Sequence, residues 1–290
     1  MLANEGHTDW ITTVVLLSRA AGAIVRERAG ISMTQYRILL RLIMSEGSRT
    51  VSSLAQDLDL AMSTVTLSIN DLESRKAVKR RYSKSDRRVV HVELGEKGRH
   101  LVELADPSIH ALAHEFWSVY TADELELTFR DSANTAIAHR LAYQKGGELS
   151  VENAYVDASL VMMNALSRHM RRANISLNEY RILYLLSTSP SGMRPSDVCN
   201  TLLLRSNEVA VAAEKLEQHG RVARVRSSAD RRVNLLVITE GGIGKLERMT
   251  PGIVDTFRTD ICDLEDGAFE RYDSISRKVL ALNRGKHLMG

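Results

Sequence analysis

The chain has 290 residues, 44% of them apolar and 26% charged, with a formal net charge of +3. That is length for two ordinary domains and a composition normal for globular protein. No apolar run approaches the length of a membrane span, and the start, MLANEGHTDW, lacks the basic and apolar regions of a secretion signal. The two cysteines, Cys199 and Cys262, have neither metal nor disulfide spacing. A cytoplasmic protein without cofactor, metal or membrane partner is expected.

Few prolines and aromatics favour helix. A first helix is predicted from about Trp10 to Arg28, with Ile11, Val14, Val15, Leu17 and Ile24 inward and Gly30 ending it. Ser32 and Gln35 form a capping box for a second helix, in which Tyr36, Leu39, Leu40 and Ile43 recur at helical spacing until Gly47. A short third helix covers about Val51 to Leu58, with Leu54, Ala55 and Leu58 inward. A turn through Asp59–Met62 opens a fourth at Ser63, with Val65, Ile69 and Leu72 inward. After Ala77 the period falls from 3.6 to 2. Residues 78–83 and 89–94 read as two strands joined by a turn at Ser85–Asp86. A long helical stretch follows from Glu96 to Tyr120, kinked near Pro107. Thr121 and Glu124 cap a last helix to about Tyr143, before a linker, Lys145–Glu148.

The same order is then written again. Residues 31–103 and 175–247 align without a gap at an offset of 144, and 24 of the 73 positions are identical. Ser176 and Glu179 repeat the capping box. An offset of domain size means a tandem duplication rather than a solenoid. Copy one spans residues 1–146 and copy two 147–290.

Each copy carries a compact basic segment. The first holds Arg75, Lys76, Lys79, Arg80, Arg81, Lys84, Arg87 and Arg88, with Asp86 as the only acid. The second holds Arg221, Arg224, Arg226, Arg231 and Arg232 against Asp230. Such segments suit phosphate contact, although a charge run is also what a solvated loop looks like. Two short helices joined by a tight turn and followed by a basic hairpin make a winged helix-turn-helix, whose second helix enters the DNA major groove.

The chain resembles the MarR family of bacterial transcription regulators. The motifs are Ser32–Gln35 before Tyr36-Arg37-Ile38-Leu39, Ser63-Thr64-Val65-Thr66, Leu72-Glu73, and Asp86-Arg87-Arg88 followed by Leu94-Gly95-Glu96-Lys97-Gly98. Copy two matches with Leu216-Glu217, Gly220, Asp230-Arg231-Arg232 and Ile238-Thr239-Glu240-Gly241-Gly242. The resemblance implies a mainly α fold: two tandem winged helix-turn-helix domains whose long flanking helices, in family members the interface of a homodimer, here form an intramolecular pseudo-dimer, so that the fused chain is expected to be monomeric or weakly dimeric in solution. It implies a repressor of transcription, with double-stranded DNA as partner and a small aromatic effector bound between winged helix and long helices. By the family's wing motif, Asp86 orients Arg88, and Asp230 orients Arg232, toward the minor groove.

The expected DNA contacts are Ser63, Thr64, Thr66, Ser68 and Asn70 on the first recognition helix and Lys84, Asp86, Arg87 and Arg88 on its wing. In copy two they are Arg205, Asp230, Arg231 and Arg232. There Val209, Ala213 and Leu216 face the core, leaving Glu208, Ala210, Ala212 and Glu214 outward. Carboxylates repel phosphate, so copy two reads a different half-site, binds weakly, or has left DNA. An interaction module on the same scaffold, with little DNA binding, is the alternative.

Other signals carry less. Gly241-Gly242-Ile243-Gly244-Lys245 lacks the spacing of a phosphate loop and reads as the wing exit. Cys199 aligns with Ala55 as a small core residue. His110 and His114 share a helix face without further ligands, and Met162, Met163 and Met170 read as core or pocket filling. No nucleophile–base constellation appears, so no enzyme is expected.

Overall fold

The computed structural model describes residues 9–45, 48–82, 89–139, 141, 150–226, 232–260 and 268–284. Copy one contributes α1 (Asp9–Ala29), α2 (Met33–Met44), β1 (Arg49–Thr50), α3 (Val51–Leu58), α4 (Met62–Ser74), β2 (Val78–Tyr82), β3 (Val90–Leu94), α5 (Gly98–Trp117) and α6 (Ala122–Ala138). Copy two contributes α7 (Val151–Arg172), α8 (Leu177–Ser187), α9 (Pro195–Leu202), α10 (Ser206–Gln218), β4 (Val222–Arg226), β5 (Asn234–Ile238), α11 (Glu240–Asp260) and α12 (Ala268–Arg284). The fold is mainly α, with the predicted order in both copies.

The local chemistry explains the boundaries. The boxes at Ser32–Gln35, Thr121–Glu124 and Ser176–Glu179 each close reciprocally, satisfying amides that a helix start leaves open. Pro107 and Pro251 lie inside α5 and α11 rather than ending them. In α1 the inward residue of the last turns is Val25, while Ile24 is only half-buried. The linker at residues 145–148, Gly47, the Ser85–Asp86 turn and Cys262 lie outside the described residues.

In each copy the hairpin is antiparallel. Val78 pairs with Leu94 and Tyr82 with Val90; Val222 pairs with Ile238 and Arg226 with Asn234. A short strand the periodicity did not show joins the first. β1 pairs Arg49 with Val92 and Thr50 with His91, giving the order β1-β3-β2. Copy two keeps this as a single bridge, Met193 to Leu236, at the same offset.

The wing exit is fixed by close approach. A Cβ on Gly98 would come within 2.4 Å of the Ala77 carbonyl oxygen, and one on Gly242 within 2.2 Å of that of Arg221. Only glycine fits where the long helix leaves the hairpin. Gly242 thus belongs to a helix start packed on a strand, as the wing-exit reading requires.

The described residues gather into two compact units that do not follow chain order. One comprises Val14–Asn164 with the end of α12; the other comprises Ala165–Thr259 and most of α12 with the chain up to Thr13. The winged helix of copy one therefore packs with the first part of α7, and that of copy two with the start of α1.

Within the first of these units, three groups on α2 meet α7. The Tyr36 hydroxyl donates to Asp106 and lies 2.7 Å from Asn153 Oδ1. Arg37 and Arg41, both buried, converge on Asp157: Arg37 through Nε, and Arg41 through Nη2 at 2.8 Å. Burial alone would raise the Asp157 carboxyl, but the two guanidinium groups hold it well below the usual carboxylate range. Trp117 packs against Phe129 and Tyr155 at ring-centroid distances of 4.8 and 5.3 Å, joining α5, α6 and α7.

The other unit has the same plan with different chemistry. Arg181, on α8, donates to Thr12 Oγ1 at 2.9 Å and to the Leu202 carbonyl. The Tyr180 hydroxyl lies 3.4 Å from Thr250 Oγ1, and burial pushes it up to about 12. Position 12 is a threonine, and an acid corresponding to Asp157 is missing from the sequence, since the offset places Thr13 there.

Candidate nucleic-acid interface

The helix-turn-helix of copy one is assembled from three directions. Thr50 caps α3 by accepting from the Ser53 amide at 3.1 Å. Arg49 binds Ser53 Oγ at 2.8 Å and the Asp57 carboxylate, fastening β1 to α3. Arg41 donates to the Asp57 carbonyl at 3.2 Å, so one buried guanidinium ties the end of α3 to α7. The turn itself needs a left-handed residue. Asp59 adopts φ 54° and its amide bonds the Gln56 carbonyl at 3.1 Å, while Leu60 bonds Ala55 at 3.0 Å. These bonds fix the angle at which α4 leaves α3.

On α4, Val65, Ile69 and Leu72 are fully buried, as their i, i+4, i+7 spacing predicts. Ser63, Thr64 and Asn70 are exposed, and Thr66 and Ser68 are half-buried. The Thr66 hydroxyl donates to the Met62 carbonyl at 2.8 Å and that of Ser68 to Thr64 at 2.9 Å. Both therefore face a ligand as acceptors. Asn70 Oδ1 accepts from Arg80, which also pairs with Glu73 at 2.7 Å.

An open groove of about 450 Å³ runs between α4 and the hairpin. Its lining includes Met62, Thr66, Asn70, Arg80 and Tyr82.

The basic segment is less naked than its sequence suggests. Arg75 pairs with Asp71 at 2.9 Å, Lys79 with Glu96 at 3.7 Å and Arg81 with Glu93 at 2.8 Å. The acids come from neighbouring elements, which a linear count around Asp86 does not see. Exposed pairs of this kind are weak enough for phosphate to displace the acid. Lys84, Asp86, Arg87 and Arg88 lie outside the described residues, as do Asp230 and Arg231; Arg232 is exposed just before β5.

Copy two repeats the turn with Leu203 at φ 51° and Leu204 bonding the Cys199 carbonyl at 3.0 Å. Cys199 is half-exposed, not a core residue. Arg205 stands exposed at the cap of α10. Two outward assignments on α10 change. Ala212 is buried, 4% exposed, because Val209, Ala212, Ala213 and Leu216 complete an i, i+3, i+4, i+7 core stripe. Glu208 is half-buried and accepts from the Arg205 amide at 3.0 Å, so it closes the helix start. Glu214 is the carboxylate that remains on the outward face. Arg224 pairs with Glu217 at 3.0 Å, as Arg80 does with Glu73 at the matching positions.

The paired histidines of α5 have partners at the start of α7: His110 lies 2.9 Å from Ser150 Oγ, and His114 lies 3.0 Å from Glu152. No cluster of three metal-ligating residues occurs among the described residues.

The family model described as Transcriptional regulator SarA/Rot matches the chain twice, over residues 23–104 and 165–249. The chain belongs to this family of transcriptional regulators. Both winged helices, with their recognition helices and hairpins, fall inside the matched stretches. Among curated relatives, the HTH-type transcriptional regulator YhbI of Bacillus subtilis is 38% identical over 82 residues, 28% of this chain and 53% of that protein. The transcriptional repressor MprA of Escherichia coli is 32% identical over 96 residues, 33% of this chain and 54% of that protein. The chain spans about half the length of these relatives. Among solved structures, AbsC, a MarR family transcriptional regulator from Streptomyces coelicolor, is 21% identical, with 50% of this chain and 99% of that one covered and a TM-score of 0.43. The kinship with bacterial transcription regulators read from the sequence holds, and the family and the named relatives are regulators of transcription rather than enzymes. No helix among the described residues of the SarA/Rot-type chain is long and apolar enough to cross a membrane.

Proposed function

We propose that this SarA/Rot-type regulator is a cytoplasmic repressor that binds duplex DNA through two unequal winged helices within one chain. The observation that carries the reading is the face of α4, where Ser63, Thr64 and Asn70 stand exposed beside the basic hairpin. Short hydroxyls and an amide suit base edges and phosphates. Thr66 and Ser68 add acceptors, and Lys84, Asp86, Arg87 and Arg88 supply the wing. Arg205, Asp230, Arg231 and Arg232 are the corresponding contacts of copy two. Its α10 offers Asn207 and Glu214 where α4 offers Ser63 and Asn70, so the two helices cannot read the same bases. Repression is the sense in which MprA is named.

A small aromatic effector fits the same reading. Trp117, Phe129 and Tyr155 form an aromatic cluster with edge-to-face and tilted rings, and the buried Trp117 Nε1 has no hydrogen-bond partner among the described residues. A phenolic oxygen or carboxylate would satisfy that donor.

The test is selection of duplexes from a random pool by the purified full chain, followed by base-by-base substitution and a salt series. An imperfect or non-palindromic site is expected, with binding that falls steeply as salt rises. A perfect palindrome with matched penalties on both sides would refute unequal reading. A second reading, an interaction module with little DNA binding, is favoured by Val211 and Glu214 on the face of α10. It would show as no salt-dependent retention on any duplex.

A further inference from the structure

The large apolar side chains exposed among the described residues are Met62, Leu67, Tyr82, Leu104, Ile137, Val211, Val225 and Ile243. Scattered singly, such residues need no explanation. Five of these eight are not scattered, because they lie on the recognition helices and hairpins. Two occupy one register. Leu67 on α4 is 68% exposed and Val211 on α10 is 54% exposed, and the repeat offset of 144 superposes them.

Helix geometry says what that register is. At about 100° per residue, Leu67 stands about 200° from the buried Val65, at the crest of the outward face. Ser63 and Asn70 flank it a turn away on either side. On α10 the crest runs Asn207, Val211, Glu214, and all three are exposed. The polar members of the crest differ between copies, whereas the central member is apolar in both. Arg80 on β2, bonded to Asn70, and Arg224 on β4, paired with Glu217, stand beside the two recognition helices, and the basic hairpins that carry them make duplex DNA the charge-complementary occupant. The outward face of a recognition helix is the one turned toward the major groove. The apolar group exposed on that groove's floor is the 5-methyl of thymine.

We propose that Leu67 and Val211 select thymine by covering its 5-methyl group in the major groove. The proposal rests on the DNA-binding reading above, and adds to it a residue pair and a base. It also accounts for two apolar side chains held in water at the centre of otherwise polar faces.

The experiment uses the full chain and the duplex it enriches from a random pool, remade with deoxyuridine in place of thymidine one position at a time. Uracil keeps the pairing and lacks only the methyl. Affinity is expected to fall about fourfold for each methyl contacted, the burial of one methyl-sized group. Leu67→Ala should bind the thymine and uracil duplexes alike at one end of the site, and Val211→Ala at the other. Both residues are exposed, so folding is retained, which circular dichroism checks. Equal wild-type affinity for thymine and uracil at every position overturns the proposal while leaving DNA binding intact. A uracil penalty that persists unchanged in both variants also overturns it. Enrichment of no duplex at all overturns the DNA-binding reading itself, and the proposal with it.

Discussion

Asp157 shows how much one side chain can hold. It is buried against Arg37 and Arg41, and Arg41 in turn holds the end of α3, so the carboxylate indirectly sets the base of the recognition turn. Replacing it with alanine leaves two guanidinium groups buried without their counter-ion. A loss of about 3–5 kcal/mol is expected in urea denaturation. Because the folded carboxyl sits below its ordinary value, that stabilisation is complete above about pH 4 and disappears below it as the group protonates. Asp273 on α12 has the opposite sign. Burial raises it to about 7, with Asp9 and Glu270 adding to the shift and Arg277 opposing it. Its Oδ1 has no hydrogen-bond partner among the described residues. The native state then binds more protons than the unfolded chain between about pH 4 and pH 7, so this group's contribution to stability falls through that window and levels above it. Asp273→Asn should flatten that slope and raise the melting temperature at pH 8 more than at pH 5. An unchanged pH profile would show that Asp273 is not the group responsible. Neither aspartate was legible in the sequence. The arginines sit on a helix where charge ordinarily marks the solvent face, and the partner of Arg37 lies 120 residues away.

At the level of elements, most of the fold could be read because caps and periodicity are local. Three capping boxes marked helix starts, and the change of period after Ala77 marked the hairpin. What escaped depends on tertiary contact. β1 is two residues long and exists as a strand only because β3 passes beside it. Ala212 needed the width of the core stripe, and Glu208 needed the geometry of its own cap. The turn between α9 and α10 offers a direct test. Copy one places Asp59 in the left-handed region, where a short polar side chain is tolerated; copy two places Leu203 there. Leu203→Asn should stabilise the protein by about 1 kcal/mol by relieving that strain. The thermal melt of the variant reads it, and an unchanged or lower transition would mean that the half-buried leucine's packing outweighs its backbone cost.

At the scale of the molecule, the duplication and the compact units divide the chain along different lines. The repeat boundary follows sequence, while α7 lends its first part to the winged helix of copy one and α1 its start to that of copy two. In a symmetric dimer of single copies this exchange would need two chains. Here one chain supplies both helices, which is why we propose a monomeric pseudo-dimer. The copies are also no longer equivalent. Copy one relies on Asp157 and Asn153, and the corresponding positions of α1 are Thr13 and Asp9. A fragment of residues 1–146 therefore cannot rebuild the site with a second copy of itself, because Thr13 would face Arg37 and Arg41 in place of a carboxylate. The full chain should scatter light as a monomer at micromolar concentration. The fragment alone should show no cooperative thermal unfolding, and co-expression with residues 147–290 should restore it in a one-to-one complex. A fragment that melts cooperatively as a monomer would show that copy one folds without α7, and the exchanged helices would then be packing rather than a requirement of the fold.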